Sequence, residues 1–275
     1  MRPATAAKVV RYTAIIVFGL VMIAPLLYLL SASLMSAEDV GAYPPHFLPP
    51  SLSFSNYGEA YSYLTGRTIL NSFVFALGVV VLQLVLGLPA GFALAKIPFR
   101  GAIAVMVLFV VPMFLPNNVA IIPLYIVTRE LGIVNTYAGM ILPIAGSTAF
   151  STLLFRQFFV NLPPGLIEAA RIDGAGWFRV LMTIVVPLSR PAVAAFSSIT
   201  FLNAWNMYIW PLIVAPDPKL QVMPVALAPL ARGQLSTITP NIGLAAAVIS
   251  IIPVVIAFLL AQRWFVRGIV GTGLE

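Results

Sequence analysis

Tyr12-Thr13-Ala14-Ile15-Ile16-Val17-Phe18-Gly19-Leu20-Val21-Met22-Ile23-Ala24-Pro25-Leu26-Leu27-Tyr28-Leu29-Leu30-Ser31-Ala32-Ser33-Leu34 contains no charged residue. An α-helix rises about 1.5 Å per residue, so about 20 apolar residues cross a hydrocarbon core of roughly 30 Å. Five more stretches qualify: Thr68–Ala95, Ala102–Leu124, Thr136–Phe155, Pro191–Ile213 and Ile242–Phe265. The pattern predicts an all-α, polytopic membrane protein of six helices, organised as one transmembrane domain over residues 1–275. The first span follows Arg2, Lys8 and Arg11, as a signal peptide would. Its apolar run is too long for an h-region and no small-x-small cleavage site closes it, so an uncleaved signal anchor is expected.

Composition excludes the soluble classes. The 275 residues are 61% apolar and only 8% charged, with mean hydropathy +1.03, whereas soluble domains carry roughly a quarter charged residues. The net charge of +7 suits anionic lipid headgroups better than nucleic acid in so apolar a chain. There is no cysteine and one histidine, His46. That leaves no disulfide framework, no thiol nucleophile and no metal cluster, and His46 reads as an exposed loop residue.

Orientation follows the positive-inside rule. With the N-terminus in the cytoplasm and six crossings, Arg2, Lys8, Arg11, Lys96, Arg100, Arg156, Arg171, Arg179, Arg190, Arg263 and Arg267 fall inside. Only Arg67, Arg129, Lys219 and Arg232 fall outside, so 11 of the 15 basic residues are cytoplasmic. The acidic residues lean outward: Glu168, Asp173 and Glu275 inside against Glu38, Asp39, Glu59, Glu130 and Asp217 outside. Both termini are expected in the cytoplasm. Trp210 and Trp264 fit interfacial belts at the outer and inner faces. Two connections are long: an outer one from Met35 to Arg67 holding Pro44-Pro45-His46-Phe47-Leu48-Pro49-Pro50, and a cytoplasmic one over residues 156–190.

No span carries Lys, Arg, Asp, Glu or His near its centre, so no proton relay is built into the chain. No G-x-x-x-x-G-K-[ST] occurs either, so energy for uphill transport has to come from a partner. No nucleophile and base are placed for catalysis, and the chain is expected not to be an enzyme. Gln83, Ser147, Thr148, Ser197, Ser198 and Thr200 read as interhelical hydrogen-bonding groups. Asn203 and Asn206 lie three apart on one helical face, flanked by Trp205 and Tyr208. Amides beside aromatic rings suit a polyol or sugar path; helix packing is the other reading. Pro112 and Pro116 predict a kink or break in span three. Gly87-x-x-x-Gly91 offers a small surface for close helix contact.

The cytoplasmic segment holds the unusual chemistry: Leu162-Pro163-Pro164-Gly165-Leu166-Ile167-Glu168-Ala169-Ala170-Arg171-Ile172-Asp173-Gly174-Ala175-Gly176-Trp177-Phe178-Arg179, continuing to Pro187. Pro163-Pro164 ends one helix, residues 167–172 form a short one, and Asp173-Gly174 stops it with Gly at C′. A second short helix from Gly176 would bury Trp177, Val180, Leu181 and Ile184. Small Ala169 and Ala170 beside Glu168, Arg171 and Asp173 make a plug for a groove on another protein.

Glu168-Ala169-Ala170, three residues, Gly174, nine residues and Ile184-x-x-Pro187 resemble the EAA loop of ABC importer permeases. Val186 stands where the family pattern has Leu. Asn71-Ser72, Asn203-Ala204-Trp205-Asn206 with Trp210-Pro211-Leu212, and Gln262-Arg263-x-Phe265-Val266-Arg267-Gly268 are similar to the MalG-like carbohydrate-uptake class. The resemblance runs from the first span to Gly273. Leu153 to Phe159 and Asn135 to Gly139 look most like glycerol-3-phosphate-type permeases.

The resemblance implies a type I ABC importer permease fold and a bacterial inner-membrane location. It also implies a second permease, two ATP-binding subunits that hold ATP and Mg, and an external solute-binding protein. Carried over residue by residue, Glu168, Ala169, Ala170, Asp173 and Gly174 become ATPase-coupling contacts. The solute is expected to be a sugar or related polyol. A glycerol-phosphate, phosphodiester or oligopeptide importer, and a stand-alone channel or secondary carrier, stay open at this point.

Overall fold

A computed structural model describes residues 3–114, 116–231 and 238–270. Arg2, Arg232, Gly273 and Glu275 lie outside the described residues, as do the side chains of Asn117, Asn118, Arg263, Trp264, Phe265, Val266 and Arg267. In chain order the helices are α1 (Pro3–Ala32), α2 (Ala37–Val40), α3 (Ser55–Lys96), α4 (Ala102–Val110), α5 (Asn117–Glu130), α6 (Tyr137–Gly146) and α7 (Ala149–Val160). They continue as α8 (Pro164–Ile172), α9 (Trp177–Val180), α10 (Val186–Leu188), α11 (Arg190–Trp205), α12 (Ile209–Val214), α13 (Met223–Ala231) and α14 (Pro240–Val270). No strand occurs among the described residues.

Among the described residues, three helical stretches are long and apolar enough to cross a membrane, Val10–Ala32, Ser55–Lys96 and Pro240–Leu260; three bent helix pairs bring the total to as many as six. The breaks have local causes. Span three stops at Val110, passes through a 3-10 turn at Val111–Phe114 and restarts at Asn117 behind Pro116, where proline withdraws backbone donors. Between α6 and α7 the chain bends by 46° at Gly146-Ser147-Thr148, where hydroxyl residues beside glycine loosen the ladder. Span five differs from the expected continuous helix: α11 ends at Trp205 and α12 begins at Ile209. Pro211 supplies the reason, because its ring clashes with the Met207 carbonyl one turn earlier. Span two also starts sooner than its apolar run. α3 begins at Ser55 and is interrupted at Thr65, with φ 55°.

The chain divides into two compact units: Met1–Gly66 with Ala226–Ile252, and Arg67–Val225 with Pro253–Glu275. In the first, the apolar side chains of α1 face outward almost throughout, as lipid permits. Asn56 is its polar keystone. Its amide donates to the carbonyls of Ser33 (2.9 Å) and Met35 (2.8 Å), and its oxygen accepts from Asn241 Nδ2 (2.9 Å). Asn56→Ala strands these buried groups, and a loss of about 1–3 kcal/mol is expected, read as a lower thermal midpoint of the purified chain. His46 is exposed, and the Phe47 carbonyl accepts from Ser31 Oγ at 2.7 Å.

In the second unit, Phe92, Phe155, Phe159, Ile167, Val180, Leu181, Val185 and Phe196 form one buried cluster. Phe155 packs on Phe196 at 5.1 Å and stacks on Phe159 at 5.9 Å. Gly87 and Gly91 of α3 lie against α7: a Cβ on Gly87 would stand 2.6 Å from Ser151 Cβ, and one on Gly91 2.9 Å from the Thr152 carbonyl. Asn71 Nδ2 donates to the carbonyls of Lys219 and Gln221, both at 2.9 Å, and Ser72 Oγ accepts from Met223 N at 2.7 Å. Asn71-Ser72 therefore clamps the segment after α12 onto the start of the second span.

Candidate functional site

The helix–turn–helix segment is built as its sequence demands. Pro164 sits at the first position of α8, where a missing N–H costs nothing. Asp173 caps the helix and Gly174 takes φ +83°. Gly174 N donates to the Arg171 carbonyl at 3.1 Å and Ala175 N to the Ala170 carbonyl at 2.9 Å, the pair of bonds of a Schellman stop. Arg171 braces the turn, with Nη1 donating to the Ala175 carbonyl at 2.9 Å and the guanidinium 4.3 Å from the Trp177 ring centroid. Both contacts lie inside the segment. From Gly176 the chain runs through α9, a π-helical stretch at Leu181–Val185 and α10. Val180, Leu181 and Val185 are buried, while Trp177 and Ile184 are half-buried.

One face of α8, through Ile167, enters the aromatic cluster, with Ala170 and Ala175 packed against it. The other face is open: Glu168, Ala169, Asp173 and Gly174 are exposed. Asp173 is exposed at a helix C-terminus, where the macrodipole does not favour a negative charge. Two large hydrophobes of the segment stand out only in the structure: Ile172 is 86% and Phe178 72% exposed. In the sequence Ile172 reads only as a helix former; its position opposite Ile167 is the available signal.

A second feature lies within the second unit. A cavity of about 1070 Å³ is walled by α3, α5, α6, α7, α11 and the start of α12. That is the size of a small-molecule site. It sits at the helix interruptions: Gly146 and Ser147 at one break and Met207, Tyr208 and Ile209 at another are in its wall. Of the four path candidates, Asn203 and Tyr208 line it and Trp205 and Asn206 do not. Trp205 is 1% exposed and packs on Phe73 and Phe201 at 4.9 and 5.6 Å. Asn206 has left the helix, and its Nδ2 donates to the Leu202 carbonyl at 2.9 Å. The spacing of three assumed one continuous helix; α11 stops between the two residues.

Other polar residues sort differently from expectation. Gln83 Nε2 donates to the carbonyls of Ile144 (3.2 Å) and Ser147 (3.3 Å), the expected interhelical bonding, and Gln83, Ser147 and Thr200 also line the cavity. Ser197 and Ser198 instead donate within α11, to the carbonyls of Val193 and Ala194. Trp210 is no lipid-facing belt residue. It is 2% exposed and its Nε1 donates to the Met140 carbonyl at 3.0 Å. No group of three or more His, Asp or Glu able to hold a metal occurs among the described residues.

Residues 83–271 match the family described as binding-protein-dependent transport system inner membrane component. The chain belongs to that family. It is a multi-pass inner-membrane permease subunit of an ABC importer, a transport component without a catalytic site of its own. Over 268 residues, 94% of each chain, the permease is 37% identical to the sn-glycerol-3-phosphate transport system permease protein UgpE of Agrobacterium fabrum. It is 34% identical over 274 residues, 97% of each chain, to the protein of the same description from Rhizobium meliloti. Among solved structures it is similar to a bacterial ABC transporter involved in import of the acidic polysaccharide alginate, with a TM-score of 0.84, 26% identity and coverage of 96% of this chain and 98% of that one.

Proposed function

We propose that this permease forms half of a translocation path for a sugar, polyol or glycerol-phosphate. It works with a second, homologous permease, two ATP-binding subunits that hold ATP and Mg, and an external solute-binding protein. Residues 1–275 act as one permease domain with both termini in the cytoplasm. Glu168, Ala169, Ala170, Asp173 and Gly174, together with Ile172 and Phe178, form the face that meets the ATPase. The observation that carries the solute class is the cavity at the broken helices, lined by Gln83, Ser147, Thr200, Asn203 and Tyr208. Interrupted helices and hydroxyl- and amide-bearing walls are how transporters line a solute site. The related proteins support it: glycerol 3-phosphate and a polysaccharide share hydroxyl-bearing carbon skeletons.

The absence of cysteine makes the topology directly testable. A single Ala169→Cys is expected to react with an impermeant maleimide only from the cytoplasmic face, and Tyr43→Cys, at a position 96% exposed, only from the outer face. The reverse pattern rules out the orientation. Binding-protein-dependent, ATP-driven uptake of a polyol or glycerol-phosphate by the reconstituted complex is the functional test.

A further inference from the structure

Among the described residues the cavity wall contains no lysine, arginine or histidine. A solute that is both hydroxylated and anionic presents two kinds of group, and the described wall offers neutral polar groups only. A phosphate taken out of water with no cation beside it has only neutral donors to replace its hydration. The Gln83 amide nitrogen is already shared between two backbone carbonyls, so Gln83 has an acceptor oxygen left. Trp210 has spent its N–H on Met140 and adds ring surface alone.

Asn203 and Tyr208 carry free polar side chains in the wall, as do Ser147 and Thr200. None of the four side chains makes a hydrogen bond among the described residues. An amide presents two donors and an acceptor, and a phenol presents one donor and accepts. Together they match hydroxyl groups, each of which donates and accepts.

We infer that Asn203 and Tyr208 are specificity-determining residues that read the hydroxyl groups of the solute, and that this wall brings no cation to an anionic group. The charge of a glycerol-phosphate is met outside this wall. The inference rests on the polyol reading above and adds a division of labour to it.

The test uses the assembled importer in nanodiscs without its binding protein, with saturation-transfer NMR as the readout for weak binding. Three probes separate charge from hydroxyl: glycerol 3-phosphate has both, glycerol keeps the hydroxyls, and propyl phosphate keeps the charge. Asn203→Leu and Tyr208→Phe are each expected to weaken glycerol 3-phosphate and glycerol by the same factor, about 3- to 10-fold for one lost hydrogen bond. Propyl phosphate binding is expected to be unchanged. A variant that weakens propyl phosphate as much as glycerol 3-phosphate overturns the proposal, since the residue then packs the wall or reads the phosphate. Wild-type importer that binds none of the three probes overturns the polyol reading itself.

Discussion

Ala169→Trp is expected to leave the permease folded and inserted while solute-stimulated ATP hydrolysis by the assembled importer falls by roughly 5- to 150-fold. That range corresponds to about 1–3 kcal/mol of overpacking at a docked face. Ala169 is the clean probe because it is exposed and lies outside the buried aromatic cluster. Its neighbours are not. Ala170 packs against the aromatic cluster, and Gly174 at φ +83° would strain any side-chain-bearing residue, so a loss there mixes folding with coupling. Ile172→Ser and Phe178→Ser remove exposed hydrophobes and are expected to lower stimulation in the same way, with an unchanged melting profile of the isolated permease. Normal stimulation in all three variants would remove the docking role from this face.

The largest structural effect is expected at the contact between α3 and α7. Gly91→Val places a branched side chain where Cβ alone meets the Thr152 carbonyl, the Arg156 nitrogen and Phe155 Cβ, each at 2.9 Å. Two of these are backbone atoms, and the helices have to separate. A cost of about 3 kcal/mol or more is expected, seen as loss of folded protein or a sharply lower melting temperature in detergent. Gly87 differs in kind, because its near neighbour is the Ser151 side chain. Gly87→Ala is therefore expected to recover stability when combined with Ser151→Gly, whereas Ser151→Gly gives no relief to Gly91→Val. Equal rescue of both would show that the helices shift freely and that the close approach carries little energy.

Most of the local architecture was legible in the chain alone. The helix stop at Asp173-Gly174, the burial of Val180 and Leu181, the break near Pro112 and Pro116 and the exposed His46 each follow from short-range rules: proline removes a donor, glycine accepts a left-handed turn, and apolar residues recur at helical spacing. The close contact at Gly87 and Gly91 was legible as a small-residue surface, but its partner helix was not.

Where periodicity was extended across a hidden interruption, it misplaced side chains. Asn203 and Asn206 look equivalent on one continuous helix. Only the folded chain shows α11 ending between them, so that Asn203 enters the cavity and Asn206 turns back onto its own helix. Trp210 reads as an interface residue from its position near a span end, yet it is buried with its N–H on Met140. Arg171, beside the exposed charges in sequence, also holds the turn together.

By itself, the sequence determined that the chain crosses a membrane as helices and that a short helix–turn–helix follows Pro163-Pro164. Both depend on composition and on residues within a few turns of one another. Only the tertiary structure decided which polar residues share the cavity and which face of α8 is free. Those outcomes depend on where distant helices break and meet, and no local spacing rule encodes that.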